Sequence, residues 1–296
     1  MKSRGFAIFA LLMVQILYGL NYTFAKAVMN DNFVPPFALT VLRVGGAVIL
    51  FWILSLFIPK EKVERKDYFK FFVAAIFGVS TNMLFFLKGI ELTTPIHAAA
   101  IMTIIPVIIL ILSSIFLKEK ITNLKISGVA LAFSGALVLT LFGNSDRSGD
   151  HVILGNTYIF LNAIFYSVYI ILIKKLTTKY HPLTFIKWLF LFGFFMVLPF
   201  GYSELQDVQW HSFTPYVSYA LIFIVIGATF GTYLLNPIAL NKLKASTVGV
   251  FIYLQPVIAG LFAVLMGADS IDTLKIIAMI LIFSGVYLVS LKSKKI

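Results

Sequence analysis

The chain reads the same way twice. Ile105-Pro106-Val107-Ile108 returns as Gln255-Pro256-Val257-Ile258, Leu124-Lys125-Ile126 as Leu274-Lys275-Ile276, and Phe133-Ser134-Gly135 as Phe283-Ser284-Gly285. All three matches keep a single offset of 150 residues, without a gap. A repeat of that length on long apolar segments divides the chain into two related halves, 1–144 and 151–296.

The solvent of these halves is lipid. Of the 296 residues, 60% are hydrophobic and 12% charged, and the mean hydropathy is +0.98. A water-soluble domain of this size has no interior large enough for so much apolar surface. Segments of about 20 residues, enough to cross a hydrocarbon core of about 30 Å, fall at roughly 6–28, 36–58, 69–88, 96–117, 124–142, 155–176, 184–201, 215–240, 246–266 and 274–291. The first is too long for a signal-peptide core and lacks a small-residue cleavage pattern, so it is expected to remain as a spanning helix. There is no cysteine, so disulfide and thiolate–metal chemistry are excluded.

Lysine and arginine set the expected orientation. With the N-terminus in the cytoplasm, nineteen of them lie on the inner side, four (Lys26, Lys88, Arg147, Lys275) on the outer side, and Arg43 within a span. The net charge of +12 thus reads as topology, and nucleic acid is not an expected partner. Five spans per half is an odd number, so equivalent helices must point in opposite directions. Lys118-Glu119-Lys120 is basic and inner, whereas its counterpart Ala268-Asp269-Ser270 is acidic and outer. The expectation is an all-α membrane protein: ten transmembrane helices as two inverted five-helix repeats, both termini cytoplasmic. Secondary transporters have this plan, with the substrate site at mid-bilayer between the halves.

Candidate site residues are the polar groups at that depth. Pro106 and Pro256 are matched prolines in the fourth and ninth spans, positioned to kink gate helices or line a cavity. Gln255 at the same depth must hydrogen-bond a substrate or a neighbouring helix. Thr103 and Tyr253 occupy matched positions beside these prolines. Arg43 is the costliest intramembrane residue, and no acidic residue lies within any span. Its partner is a loop carboxylate such as Asp31, helix-end carbonyls, a lipid headgroup or an anionic substrate, with Lys26 as a second positive charge. Tyr18 and Asn21 in the first span, with Gln15 near them, face the same question as Asn162, Tyr166 and Tyr169 in the sixth: shared cavity or interhelical hydrogen bonds. Asn82 in the third span and Thr229, Tyr233 and Asn236 in the eighth share that ambiguity. His97, opening the fourth span, is either interfacial or a proton relay.

At this point the chain resembles a known family, the drug/metabolite transporter superfamily and specifically its EamA-type bacterial members. Tyr18-Gly19-Leu20-Asn21 looks like the Trp-Gly-Ser-Asn-type stretch of the first span, and Arg43 matches the arginine usual in the second. Ile105-Pro106-Val107 with Lys118-Glu119-Lys120 is similar to the fourth-span proline and its trailing Glu-Lys. Leu254-Gln255-Pro256-Val257 resembles Leu-Glu-Pro-Val in the ninth. Two departures stand out: Gln255 replaces the glutamate, and Asp269 stands where a later Gly-Glu would fall. The resemblance implies a bacterial inner-membrane protein that exports or exchanges small metabolites, amino acids among them, by alternating access.

No cofactor or metal is expected, and no nucleotide-binding loop is present, so ATP is not the direct fuel. A multipass enzyme acting on lipid would need clustered acid–base or metal groups, but the four histidines are scattered. A non-transporting scaffold or receptor would tolerate loss of Arg43 and Gln255. Substrate, coupling ion and oligomeric state are not readable from the sequence.

Overall fold

Apolar segments in lipid must satisfy their own backbone, and a helix does so within one segment. The computed structural model describes residues 4–29, 33–93, 98, 101–141, 151–265 and 273–291. Among them there is no strand. The helices are α1 (Arg4–Met29), α2 (Pro36–Ser55), α3 (Arg65–Leu92), α4 (Ile105–Leu117), α5 (Asn123–Leu141), α6 (Val152–Leu176), α7 (Pro182–Gly201), α8 (Pro215–Lys242) and α10 (Thr273–Ser290). Between the last two, α9 runs as Ala245–Val250, a tight turn Phe251–Tyr253, and Leu254–Leu265. Seven of these runs, α1–α3 and α6–α9, are long and apolar enough to cross a membrane. The apolar stretches Ile105–Leu117, Asn123–Val138 and Ile276–Ser290 are shorter; the last two belong to helices that adjoin residues outside the description.

Helix starts follow from local chemistry. Pro36, Pro182 and Pro215 open α2, α7 and α8, where a missing N–H forfeits nothing. Glu204, after α7, accepts hydrogen bonds from the Phe37 and Ala38 amides at the start of α2, at 2.7 and 3.1 Å. Glu61, after α2, accepts one from the His181 amide just before α7, at 2.9 Å. Each carboxylate complements the positive end of the other half's helix.

The pairing of α5 with α10 carries the repeat into three dimensions. Gly128 packs on Gly285 and Gly135 on Ala278, so a step of seven forward on one helix is seven back on the other. A β-carbon at Gly128 would lie 2.8 Å from the Gly285 carbonyl oxygen, and one at Gly135 would lie 2.6 Å from that of Ala278. Only glycine permits this approach. The offset of 150 converts Gly128 into Ala278 and Gly135 into Gly285, so each contact maps onto the other under the repeat. The lysine caps behave likewise. Lys26 Nζ donates to the carbonyls of Ile90 and Thr93 at the end of α3, at 2.9 and 3.4 Å. Lys174 Nζ donates to Leu240 and Leu243 at the end of α8, at 2.5 and 2.8 Å. Those carbonyls are again 150 apart, and a cation at a helix C-terminus offsets its unpaired carbonyls.

Candidate functional site

Departures from regular helix cluster in matched places. In α3, Ile76–Ser80 widens into a π turn, and Phe223–Gly231 does so in α8. Thr81 and Thr229 each return a hydroxyl to the carbonyl five residues back, those of Ile76 and Ile224, at 2.6 and 2.7 Å. In α9 the turn Phe251–Tyr253 immediately precedes Leu254-Gln255-Pro256. Before α4, Ile104 N bonds Ile101 O and Val107 N bonds Ile104 O, both at 3.1 Å, just ahead of Pro106 and across it. Proline cannot continue the ladder, and the backbone tightens beside it. Both prolines therefore mark breaks at repeat-related positions.

These breaks surround a cavity of about 50 Å³, room for a few water molecules. Eight of the residues singled out in the sequence line it: Tyr18, Asn21, Arg43, Asn82, Asn162, Tyr166, Tyr233 and Gln255. Arg43 comes from α2 and is buried. Its Nε donates to Thr229 Oγ1 at 2.9 Å, on the π turn of α8. Among the described residues no carboxylate pairs with it, and its terminal nitrogens make no protein hydrogen bond. Asp31, one candidate partner, lies outside the described residues.

The remaining polar groups form cross-helix bonds. Gln255 bridges α9 to α1: its Oε1 accepts from Tyr22 OH at 3.0 Å and its Nε2 donates to Gln15 Oε1 at 2.8 Å. Asn82 and Asn162 exchange side-chain-to-backbone bonds between α3 and α6, at 3.5 and 2.7 Å. Asn236 Nδ2 donates to Tyr166 OH at 2.8 Å. Tyr233 OH donates to the Gly78 carbonyl in the π turn of α3. Tyr18 and Tyr166, repeat-related across the two halves, meet edge to face at 6.5 Å. Oδ1 of Asn21 and Oδ1 of Asn162 are buried with no partner among the described residues. Among the described residues, the cavity wall thus holds a guanidinium with uncommitted donors and two amides, Asn21 and Asn162, whose buried oxygens lack a partner.

Two candidates are placed elsewhere. Tyr253 is fully buried but turned from the cavity, its ring edge to face with Phe133 of α5 at 6.5 Å. Residues 253 and 255 sit about 200° apart around a helix at about 100° per residue, so only one can face inward. Ile252 and Gln255 take the inward side. Thr103 is buried beside Met102 and Ile105, which line the cavity while it does not. Lys26 serves as the α3 cap. His97 lies outside the described residues. The sequence reading missed Tyr22, Met83, Phe86, Met102, Ile105 and Ile252 as lining residues. Tyr22 was detectable, since Gln15, Tyr18 and Tyr22 fall at i, i+3 and i+7 on one helical face. Among the described residues there is no group of acidic and histidine side chains able to hold a metal ion.

Comparison with known proteins decides the family. The model of the EamA-like transporter family matches residues 5–141 and 153–291. The chain belongs to this family. An EamA-like chain with these apolar helices is a multi-pass membrane protein. A protein of Archaeoglobus fulgidus named uncharacterized transporter is 28% identical over 92% of this chain and 94% of its own length. The uncharacterized transporter YetK of Bacillus subtilis is 26% identical over 88% of this chain and 80% of its own. A WAT1-related protein of Arabidopsis thaliana is 24% identical over 95% and 83% respectively. A solved crystal structure superposes with a TM-score of 0.76 over 97% of both chains at 19% identity, so the fold is shared with it.

Proposed function

We propose that this EamA-like protein is a secondary transporter, an exporter or exchanger, of a small zwitterionic metabolite of the amino-acid type. It would work by alternating access of two inverted five-helix halves that make ten crossings in all, with both termini cytoplasmic. The observation that carries the reading is Arg43: a buried cation with no carboxylate partner among the described residues, opening onto a cavity whose wall holds two amides, Asn21 and Asn162, with oxygens unpartnered among those residues. A bound carboxylate would complete the guanidinium's hydrogen bonds. A bound ammonium would complete those of Asn21 and Asn162. Charge-assisted pairs of this kind are the stronger hydrogen bonds. The antiparallel packing of α5 on α10 and the matched lysine caps support the inversion. The matched breaks at Pro106 and Pro256 support a gating role for α4 and α9. Rocking of the halves would open this cavity alternately to each side. Among the described residues no carboxylate lines the cavity, so exchange or facilitated diffusion fits better than proton antiport.

The test is flux of labelled neutral amino acids in proteoliposomes, with Arg43→Ala and Arg43→Lys. A lost charged hydrogen bond weakens binding by roughly 10- to 100-fold, so Arg43→Ala is expected to lose most flux while inserting normally. Lysine restores charge without the planar fork and is expected to recover only part. Unchanged flux in Arg43→Ala would overturn the site, and absence of flux for every small solute tested would overturn the transporter reading.

A further inference from the structure

Where α1 and α5 begin, α8 and α10 end and α9 begins, the surface opens into a basic pocket of about 430 Å³. Arg4, Lys125, Lys242 and Lys244 line it, with Thr122 and Thr247 between them. No acidic side chain lines it among the described residues. Lys125 is already committed: it donates to Ser246 Oγ at 2.6 Å and pairs with Glu119 at 3.3 Å. Lys242 and Lys244 are exposed and form no ion pair among the described residues.

This pocket continues into an apolar groove of about 610 Å³ between α1, α9 and α10. Arg4 and Leu291 belong to both, so the two are continuous. The groove floor is Ile8 and Leu12 of α1, Phe251 and Leu254 of α9, and Phe283 and Tyr287 of α10. From Leu291 back to Phe283 it descends about 12 Å at about 1.5 Å per residue. A cationic mouth at the end of the bundle, above an apolar channel running toward mid-membrane, is complementary to one ligand class. A phosphate with an attached acyl chain satisfies both parts, and neither a neutral lipid nor a free anion does.

We propose that this face is a binding site for one anionic phospholipid, its phosphate at Arg4, Lys242 and Lys244 and one acyl chain in the α1–α9–α10 groove. The site has a route to the cavity. Phe251 lies against the acyl chain, while the adjacent Ile252 lines the cavity from the same tight turn of α9. The lipid therefore braces the segment whose movement opens the site. Juxtamembrane basic clusters that recognise anionic headgroups work by the same electrostatics.

The full-length protein in a neutral detergent is titrated with dioleoylphosphatidylglycerol, dioleoylphosphatidylcholine and inorganic phosphate, and read by thermal shift and by native mass spectrometry for retained lipid. Phosphatidylglycerol alone is expected to stabilise the protein and remain bound as a single adduct. Replacing Lys242→Gln and Lys244→Gln together is expected to weaken that binding by about thirtyfold, from about fivefold per lysine. Both side chains are exposed, so folding should survive, and the single Lys242→Gln variant serves if the pair does not express. Leu12→Trp, which fills the groove, should abolish retention while leaving the headgroup pocket intact. Equal stabilisation by phosphatidylcholine would reduce the face to ordinary lipid contact. Equal stabilisation by phosphate would reduce it to a free-anion site, and no effect of the lysine variants would place the lipid elsewhere. Each of these results overturns the proposal, and none depends on whether solute crosses the membrane.

Discussion

At the scale of single residues, the two tyrosines beside Gln255 make a sharp contrast. Tyr22 donates to Gln255, whereas the buried Tyr253 hydroxyl has no partner among the described residues. Tyr22→Phe is expected to lower stability by about 1 kcal/mol, the net worth of an internal hydrogen bond, and to reduce flux by loosening α1 from α9. Tyr253→Phe removes an unsatisfied polar atom and should leave stability equal or higher and flux unchanged. Thermal unfolding and proteoliposome flux on the two variants check both. An opposite ranking would mean that α9 presents its other face. The sequence alone marked Tyr253 and Gln255 together because both are polar groups at one depth. It could not separate them, since rotation about a helix axis depends on what the helix packs against.

Elements are held together by contacts that a few substitutions can probe. Gly285→Val places a side chain against the Gly128 carbonyl, where neither backbone can yield. Overpacking of this kind costs about 1–3 kcal/mol, and thermal midpoint is the readout. The same substitution at Gly260, where a β-carbon meets nothing within 4 Å, should be tolerated far better. A second probe is the ion cluster tying the start of α3 to the α6–α7 connection. Lys179 pairs with Glu64 at 2.5 Å and also with Asp67. Hydrogen bonds from Lys179 and Lys66 hold the Glu64 carboxyl below its ordinary value of 4.5. Those to Asp67 and Glu64 push the Lys179 ammonium above its ordinary 10.5. A depressed acid stabilises above its unfolded value and loses that contribution as pH falls; a raised base stabilises below its unfolded value and loses it as pH rises. The cluster's contribution is therefore constant between about pH 5 and about pH 10. The difference in midpoint between the protein and its Glu64→Gln variant should hold steady from roughly pH 5 to 9 and shrink below about pH 4.5. A difference growing on acidification would show that another group controls the acid limb. The π turns of α3 and α8 were not legible beforehand. They depend on Thr81 and Thr229 bonding back along the helix, and nothing in an apolar run announces that.

For the whole molecule, the governing claim is inversion, and it can be tested because the chain has no cysteine. Lys60→Cys, in the α2–α3 connection, and Ser203→Cys, after α7, sit at exposed positions that follow the second helix of each half. A membrane-impermeant maleimide should label position 203 from outside intact cells and position 60 only after permeabilisation. Labelling of both from one side would defeat the inverted arrangement. The amino-acid sequence by itself determined that the chain is a membrane protein of repeated apolar segments and which polar residues lie at depth. Those properties follow from hydration, segment length and the 150-residue offset, all local to the chain. Only the tertiary structure decided which of those residues meet. The cavity brings together Arg43 of α2, Asn82 of α3, Asn162 of α6 and Gln255 of α9. Their convergence depends on helix rotation and on breaks that shift the angular register of each face, and both are set by packing across helices distant in sequence.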